Sequence, residues 1–222
     1  MDIISVEQAG HLYWLGRYTE RVYTTLRIYS RSFDEMIDES RDSYQSFCRS
    51  VDIPDIYVSK EDFLRRYPFD PTVPDSIVSN LERAYDNAVV LRETIGSEAL
   101  SYVQLAVYDI KLAAESDAPM IELQQVLDHI LAFWGIVDDQ IDSEETRNMI
   151  KTGKRIERID LYARLGMPRE ELVREVHRMV PRVKRSGMAY DAEKLEMIRE
   201  RVEEPELDHY SLVADVETLV AV

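Results

Sequence analysis

The sequence predicts an all-α fold, a bundle of seven or eight helices in one domain spanning residues 1–222. Three observations carry that prediction. Helix-start and helix-stop signals recur along nearly the whole chain, and no segment alternates apolar and polar residues between turn signals as a half-buried strand does. Only 7 glycines and 8 prolines occur in 222 residues, too few for a loop-rich architecture. A helical motif is also written twice, near the two ends of the main body.

Ser5-Val6-Glu7-Gln8 reads as a capping box that opens a long first helix running to about Asp38, with Leu12, Leu15, Tyr18, Val22, Leu26 and Tyr29 as its apolar positions. Residues 41–74 hold Pro54, Pro68, Pro71 and Pro74 and read as an irregular connector with one short helix after Ser59. A connector over one end of the bundle is favoured there over a lid. Asp75 or Ser76 caps a second long helix through Ile95, and Gly96-Ser97 breaks or bends it before Glu98–Glu115. Pro119 starts a helix to about Val137, and Ser143 caps one that stops at Gly166. Pro168 opens another to about Arg185, ended or kinked by Pro181; Asp191 to Glu203 is the last clear helix. Residues 205–222 read as a short tail with an apolar end, Leu219, Val220 and Val222.

The repeated motif is Gly16-Arg17-Tyr18-Thr19-Glu20-Arg21-Val22 with a late Arg27, and Gly153-Lys154-Arg155-Ile156-Glu157-Arg158-Ile159 with a late Arg164. At helical period Gly16, Glu20 and Arg27 share a stripe, and so do Gly153, Glu157 and Arg164. A glycine, which a helix interior disfavours, one turn before a carboxylate suggests two helices packed closely around a polar centre. A buried carboxylate there needs a partner, because stripping one partner from a buried pair costs ~3–5 kcal/mol. Crossed pairing about a pseudo-twofold axis supplies it: Glu20 with Arg164 or Arg158, and Glu157 with Arg27 or Arg21.

Lys plus Arg number 27 and Asp plus Glu 43, a net charge of −16, which argues against general affinity for nucleic acid or anionic membrane. The charge is uneven. Lys151 to Arg201 carries 14 Lys/Arg against 9 Asp/Glu, a net of +5, so the remainder carries −21. A mildly basic segment on an acidic body is expected to dock onto it. Cys48 is the single cysteine, so neither an intrachain disulfide nor a cysteine metal cluster can form. Met1-Asp2-Ile3-Ile4-Ser5 lacks the basic-then-apolar pattern of a secretory leader, and no apolar run is long enough to span a bilayer. A cytoplasmic protein is the expectation.

Asp138-Asp139-Gln140-Ile141-Asp142 matches the DDxxD string that holds Mg²⁺ and diphosphate in isoprenoid synthases. It lies at a helix end without a second copy, so a solvated terminus is preferred for Asp138, Asp139 and Asp142 and no metal is assigned. The dimetal-carboxylate pattern finds one match, Glu206-Leu207-Asp208-His209, near the tail. No phosphate loop, nucleophile elbow or zinc signature is present, and no cofactor is expected. Arg17, Arg21, Arg83, Arg92, Arg155 and Arg158 could converge on an anion, but Glu20, Glu82, Glu93 and Glu157 lie close enough in sequence to pair with them, which is preferred. Tyr13, Trp14, Tyr18, Tyr85 and Trp134 are expected to line the core with their polar ends on that network.

The stretch Ala9-Gly10-His11-Leu12-Tyr13-Trp14-Leu15-Gly16-Arg17-Tyr18-Thr19-Glu20-Arg21 resembles the opening of the bacterial alpha-E domain family, named for its helices and its Glu-Arg motif. Asp86-Asn87-Ala88 with Leu91-Arg92-Glu93 and Ser97-Glu98 looks like that family's central helix, and Phe133-Trp134-Gly135 with Gly153 to Leu165 like its third block. The resemblance covers Ser5 to Leu165 and implies no established activity. Members are typically encoded beside ATP-grasp ligase-like and transglutaminase-like proteins, which implies a part in forming or processing a peptide or amide-linked product. The residues singled out are Arg17, Glu20, Arg21, Arg27, Arg92, Glu93, Glu157, Arg158 and Arg164, as a structural or anion-binding network. Two roles follow: a non-enzymatic partner or binding subunit of such a system, or an enzyme with a Glu/Arg pocket for a peptide or small anion. A homodimer through the apolar tail or an aromatic face is a further expectation. A closed, dry network favours the first role; an open pocket with unpaired arginine and a carboxylate of raised pKa favours the second.

Overall fold

Ser5 opens helix α1 (Val6–Asp38) through the expected capping box: its Oγ accepts from the Gln8 amide, and Gln8 Oε1 accepts from the Ser5 amide, each at 3.1 Å. The computed structural model describes the backbone of residues 4–38 and 43–221 and the side chains of 4–33 and 44–221. Val222 and the start of the connector at Arg41 lie outside them. The helices that follow are α2 (Ser43–Ser50), α3 (Lys60–Arg66), α4 (Ile77–Val90), α5 (Arg92–Glu115), α6 (Pro119–Asp139), α7 (Glu144–Arg164), α8 (Arg169–Arg185), α9 (Ala192–Glu203) and α10 (His209–Glu217). Among the described residues there is no sheet, only an isolated antiparallel bridge between Tyr190 and Val220.

The expected caps sit where the sequence puts them. The side chains of Ser59, Ser76, Ser143 and Asp191 each accept an amide of the first turn of α3, α4, α7 and α9. Gly166 takes φ +61° after α7, the left-handed conformation that ends a helix at glycine.

Among the described residues there are ten helices where seven or eight were expected, and the two that the sequence did not announce have separate causes. Buried Tyr44, Phe47 and Cys48 of α2, continued by Val51 just past its end, follow helical spacing inside a segment whose prolines suggest loop. In α10 Asp208 Oδ1 accepts from the Tyr210 and Ser211 amides, a cap that turns the expected tail into a helix burying Leu212 and Val216. The expected break or bend at Gly96-Ser97 is present as a kink, and a second interruption, not expected, lies earlier in the chain. Helix α4 ends at Val90, and Gly96 (φ 84°, ψ 155°) forms a kink inside α5. Pro181 lies within α8, which continues to Arg185.

The helices arrange around one pair. Helix α1 packs along α7; α4 and α6 lie on α1, with α5 against both of them; α8 and α10 lie on α7, with α9 against both. The described part of the connector, residues 43–74, is a packed plug: Phe63 stacks on Tyr67 at 5.1 Å and meets Phe47 and Tyr57 edge-on, while Tyr29 of α1 donates to the Leu64 carbonyl. The apolar tail is consumed within the chain. Leu219 and Val220 are buried, and the Asp191 and Ala221 amides donate to the Leu219 and Ala189 carbonyls. Among the described residues no helix is long and apolar enough to cross a membrane.

The α1–α7 crossing is fixed by the two motif glycines. A Cβ on Gly16 would drive into the Ile150 carbonyl of α7 and stand 3.0 Å from the Lys154 nitrogen. A Cβ on Gly153 would drive into the Tyr13 carbonyl of α1 and stand 3.1 Å from the Arg17 nitrogen. The contacts are reciprocal, glycine against the residue three before the other glycine, so the pair has a local pseudo-twofold axis. Backbone touches backbone there, with no side-chain end to give way. Gly16→Ala or Gly153→Ala is therefore expected to cost at least the ~1–3 kcal/mol of overpacking, read as a lower urea midpoint. Gly135→Ala, in α6 with nothing within 4 Å of the new methyl, should instead gain about 0.5–1 kcal/mol from helix propensity.

Candidate functional site

One helical turn beyond each glycine stands a carboxylate that the crossing shuts off from water: Glu20 is 0 % exposed and Glu157 1 %. Each is neutralised from the opposite helix. Arg158 grips Glu20 as a fork, Nε at 2.6 Å from Oε1 and Nη2 at 2.8 Å from Oε2, and Thr24 donates to Oε1 at 2.7 Å. Arg17 Nε donates to Glu157 Oε2 at 2.5 Å, and Arg21 donates to Oε1. Of the two partners expected for each acid, the one adjacent in the motif is used, Arg158 and Arg21. The late arginines lie another two turns along, too far from the crossing. Arg164 instead pairs with Asp160, Asp52 and Glu217, at 2.7, 2.5 and 3.0 Å. Arg27 lies over the Tyr23 ring at 5.4 Å. Burial pushes the Glu157 carboxyl up, but the charges and hydrogen bonds of Arg17 and Arg21 outweigh it and hold it below its ordinary value.

The pseudo-symmetry breaks at one position. Arg17 bridges Glu157 and the Tyr13 hydroxyl, whereas its counterpart Lys154 makes no ion pair with Glu20 and rests 3.1 Å over the Trp134 ring. Burial lowers the Lys154 amine to about 6; Glu20 opposes the shift, and Arg158 and Arg155 add to it. On the other side Asp160 is buried next to Glu157. Burial and the Glu157 charge push its carboxyl up against the Arg164 hydrogen bond. Its Oδ2 has no hydrogen-bond partner and stands 3.8 and 3.9 Å from Arg17 and Arg21 nitrogens.

Two cavities flank the helix pair at matching positions. One of about 380 Å³ lies against Trp14, Arg17, Tyr18, Arg21 and Arg83, with the carboxylates Asp75, Glu157 and Glu217 also in its wall. Arg83 lies over Tyr18 at 5.8 Å and donates to the Pro74 carbonyl and Asn80 Oδ1; among the described residues no carboxylate pairs with it. The other, about 80 Å³, lies against Lys151, Lys154, Arg155, Trp134 and Arg182. Lys151, Lys154 and Arg155 occupy the motif positions of Trp14, Arg17 and Tyr18. A larger cavity of about 580 Å³ sits away from both, walled by Tyr29, Phe33, Leu64 and Phe69. Arg65 and Arg66 beside it pair with Asp62, and Arg66 also with Asp70.

Several expected residues stand elsewhere. Arg92 and Glu93 are exposed at the start of α5, outside the network, because the break at Leu91 turns them out; Arg92 reaches only Ser97, at 3.4 Å. Trp14 is 40 % exposed and Tyr18 and Tyr85 are half-buried, so only Tyr13 and Trp134 of the five aromatics are core residues. Asp138, Asp139 and Asp142 are exposed around the end of α6, and Asp138 pairs with Lys151. Among the described residues no three metal-ligating side chains converge. Asp34-Glu35 and Asp38-Glu39, the acidic pairs that could stand opposite a DDxxD string in such a metal site, lie outside the described side chains. The first and central blocks of the family pattern meet where His11 Nδ1 and Asn87 Oδ1 stand 2.7 Å apart. Sequence reasoning missed Thr24, Asp160 and Glu175. Thr24 is one turn from Glu20 and Asp160 one turn from Glu157, spacings that could have exposed them. Glu175 of α8, bound by Arg155 and Arg178, has no such local signal.

Glu157→Gln leaves Arg17 and Arg21 facing an uncharged amide, and urea unfolding at neutral pH should show a loss of about 3–5 kcal/mol. Because the folded-state value is depressed, this contribution is full above the ordinary glutamate value of 4.5 and vanishes as pH falls through the folded value. The wild-type advantage over Glu157→Gln should shrink on acidification in that window. Lys154 has the opposite consequence. Between about 6 and 10.5 the unfolded chain holds a proton that the folded chain has lost, so its contribution rises with pH. The melting temperature of the wild type should climb relative to Lys154→Met across that interval.

Comparison with curated proteins and with solved structures finds no match. The family model of the Alpha-E domain, described as a predicted alpha-helical domain with a conserved ER motif, matches residues 7–197. That span holds both Glu-Arg pairs, Glu20-Arg21 and Glu157-Arg158, and the crossing that makes each arginine answer the other's acid. With the match extending over most of its length, the chain belongs to the Alpha-E family.

Proposed function

We propose that the chain is a non-enzymatic binding subunit of a peptide-forming or peptide-processing system, working with ATP-grasp-like and transglutaminase-like proteins. On this reading the crossed Glu-Arg centre is scaffold, and the cavity beside Arg83 receives an acidic or carboxylate-bearing segment of a partner. The observation that carries it is the closure of the Glu-Arg centre, where Glu20 and Glu157 are sealed from water and each is held by arginine of the facing helix. Arg17, Arg21 and Arg158 are committed to buried carboxylates, whereas Arg83 bonds only to neutral acceptors and sits in an open cavity beside the exposed Trp14. A guanidinium held by neutral groups beside an indole suits recognition of a carboxylate.

The second reading, an enzyme acting on a peptide or small anion, has its own support in the open cavity with its Arg83, unpaired among the described residues, and in the raised Asp160 and lowered Lys154, since displaced pKa values gather at reacting sites. One comparison separates the two. Co-purification with the ATP-grasp-like and transglutaminase-like proteins encoded alongside should persist in Lys154→Met and fall by roughly tenfold in Arg83→Glu, the change expected when a charged contact is reversed, at an unchanged melting temperature. Retention by Arg83→Glu, with product formation abolished in Lys154→Met, would replace the binding subunit by the enzyme.

A further inference from the structure

The small cavity between the end of α6, α7 and α8 is walled by four bases, Lys151, Lys154, Arg155 and Arg182, and by one carboxylate at its rim, Asp138. The bland account of such a cluster is internal salt bridging, and it falls short here. Asp138 pairs with Lys151 and is itself exposed. Glu175, the acid that Arg155 bonds, is shared with Arg178 at 2.8 Å and Arg158 at 3.9 Å. Arg182 has a neutral partner, Asn148 Oδ1 at 3.2 Å. Lys154 has the Trp134 ring and no carboxylate. Trp134 Nε1 is buried without a hydrogen-bond partner, so a donor in the same wall is unused. About 80 Å³ accommodates several waters or one oxyanion.

We propose that this recess is a binding site for a single oxyanion, a carboxylate or phosphate group, held by Lys151, Lys154, Arg155 and Arg182. Arg155 and Arg182 supply planar forks, Lys151 a point charge, and Lys154, neutral above about pH 6 without an anion beside it, an amine donor that an entering anion would charge. Burial is the main reason that Lys151 is lowered to about 8, with Arg182 and Arg155 adding to it, and burial likewise dominates the lowering of Lys154, which Glu20 opposes. The site is separate from the cavity beside Arg83 and does not depend on that reading. It answers the same motif positions on the other helix, with three bases where α1 carries Trp14, Arg17 and Tyr18.

Trp134 provides a local reporter, because Lys154 lies on its ring. In a Trp14→Phe background, which leaves Trp134 as the remaining tryptophan, emission is followed while sodium phosphate or sodium acetate is added at ionic strength matched with sodium chloride. A saturable change with phosphate or acetate and none with chloride is expected, and the tighter of the two names the source of the oxyanion. Arg182→Gln and Lys151→Met should each weaken it by roughly tenfold or more, the loss of one charge-assisted hydrogen bond, while circular dichroism shows the folded state. Failure of both anions to give a saturable change overturns the site, and so does undiminished binding in both variants. Arg83→Glu should leave this titration unchanged, which keeps its outcome distinct from the partner test above.

Discussion

Backbone contact between α1 and α7 is the constraint from which the rest of the architecture follows. With Gly16 against Ile150 and Gly153 against Tyr13, the two helices approach closer than side chains allow. Residues one turn further on then have nowhere to go but the seam, and these are Glu20 and Glu157. A carboxylate sealed in such a seam is tolerable only with its countercharge beside it. The nearest base on each facing helix is the arginine that follows the other glutamate. The Glu-Arg dipeptide is thus a consequence of the crossing: the glutamate faces inward at the seam and its neighbouring arginine reaches across it. Acid and base adjacent in sequence serve opposite halves of the structure.

The departure from symmetry is as informative as the symmetry. Arginine at position 17 can hold a carboxylate and a tyrosine hydroxyl at once, because its donors are spread over a rigid plane. Lysine at 154 offers one compact charge on a flexible stem and comes to rest on an indole. One flank of the pair therefore has a network with Asp160 added to it, and the other keeps a basic recess whose Lys154 amine, among the described residues, meets an indole in place of a carboxylate. Two halves with the same backbone role have been given different surfaces.

The fold was legible wherever it depended on local chemistry. Ser5, Ser59, Ser76, Ser143 and Asp191 announce their helices because a cap is a contact within four residues of itself. The reciprocal glycines were legible because a repeat needs no partner to be seen. What stayed hidden depended on distance. Glu175 reaches Arg155 from α8, and Arg164 turns to Asp52 and Glu217 rather than to Glu20, pairings set by packing alone. Arg92 and Glu93 match the family's central block in sequence, yet a helix break one residue earlier turns them into solvent. Helix α2 was obscured by its surroundings, since helical spacing at Tyr44, Phe47, Cys48 and Val51 is outweighed by the four prolines of its segment.

The ion pairs across the seam join residues 136 and 138 positions apart in the chain. At a translation rate of about 5–20 residues per second, Glu20 leaves the ribosome roughly 7 to 28 s before the arginine that answers it. Through that interval the nascent α1 carries an acid and an apolar stripe with no surface to lie on, apart from α4 to α6 as they emerge. The final docking event is correspondingly non-local, and closure entropy must be met before its contacts form. Helix α1 begins the chain, yet its lodging is among the last events of its biogenesis.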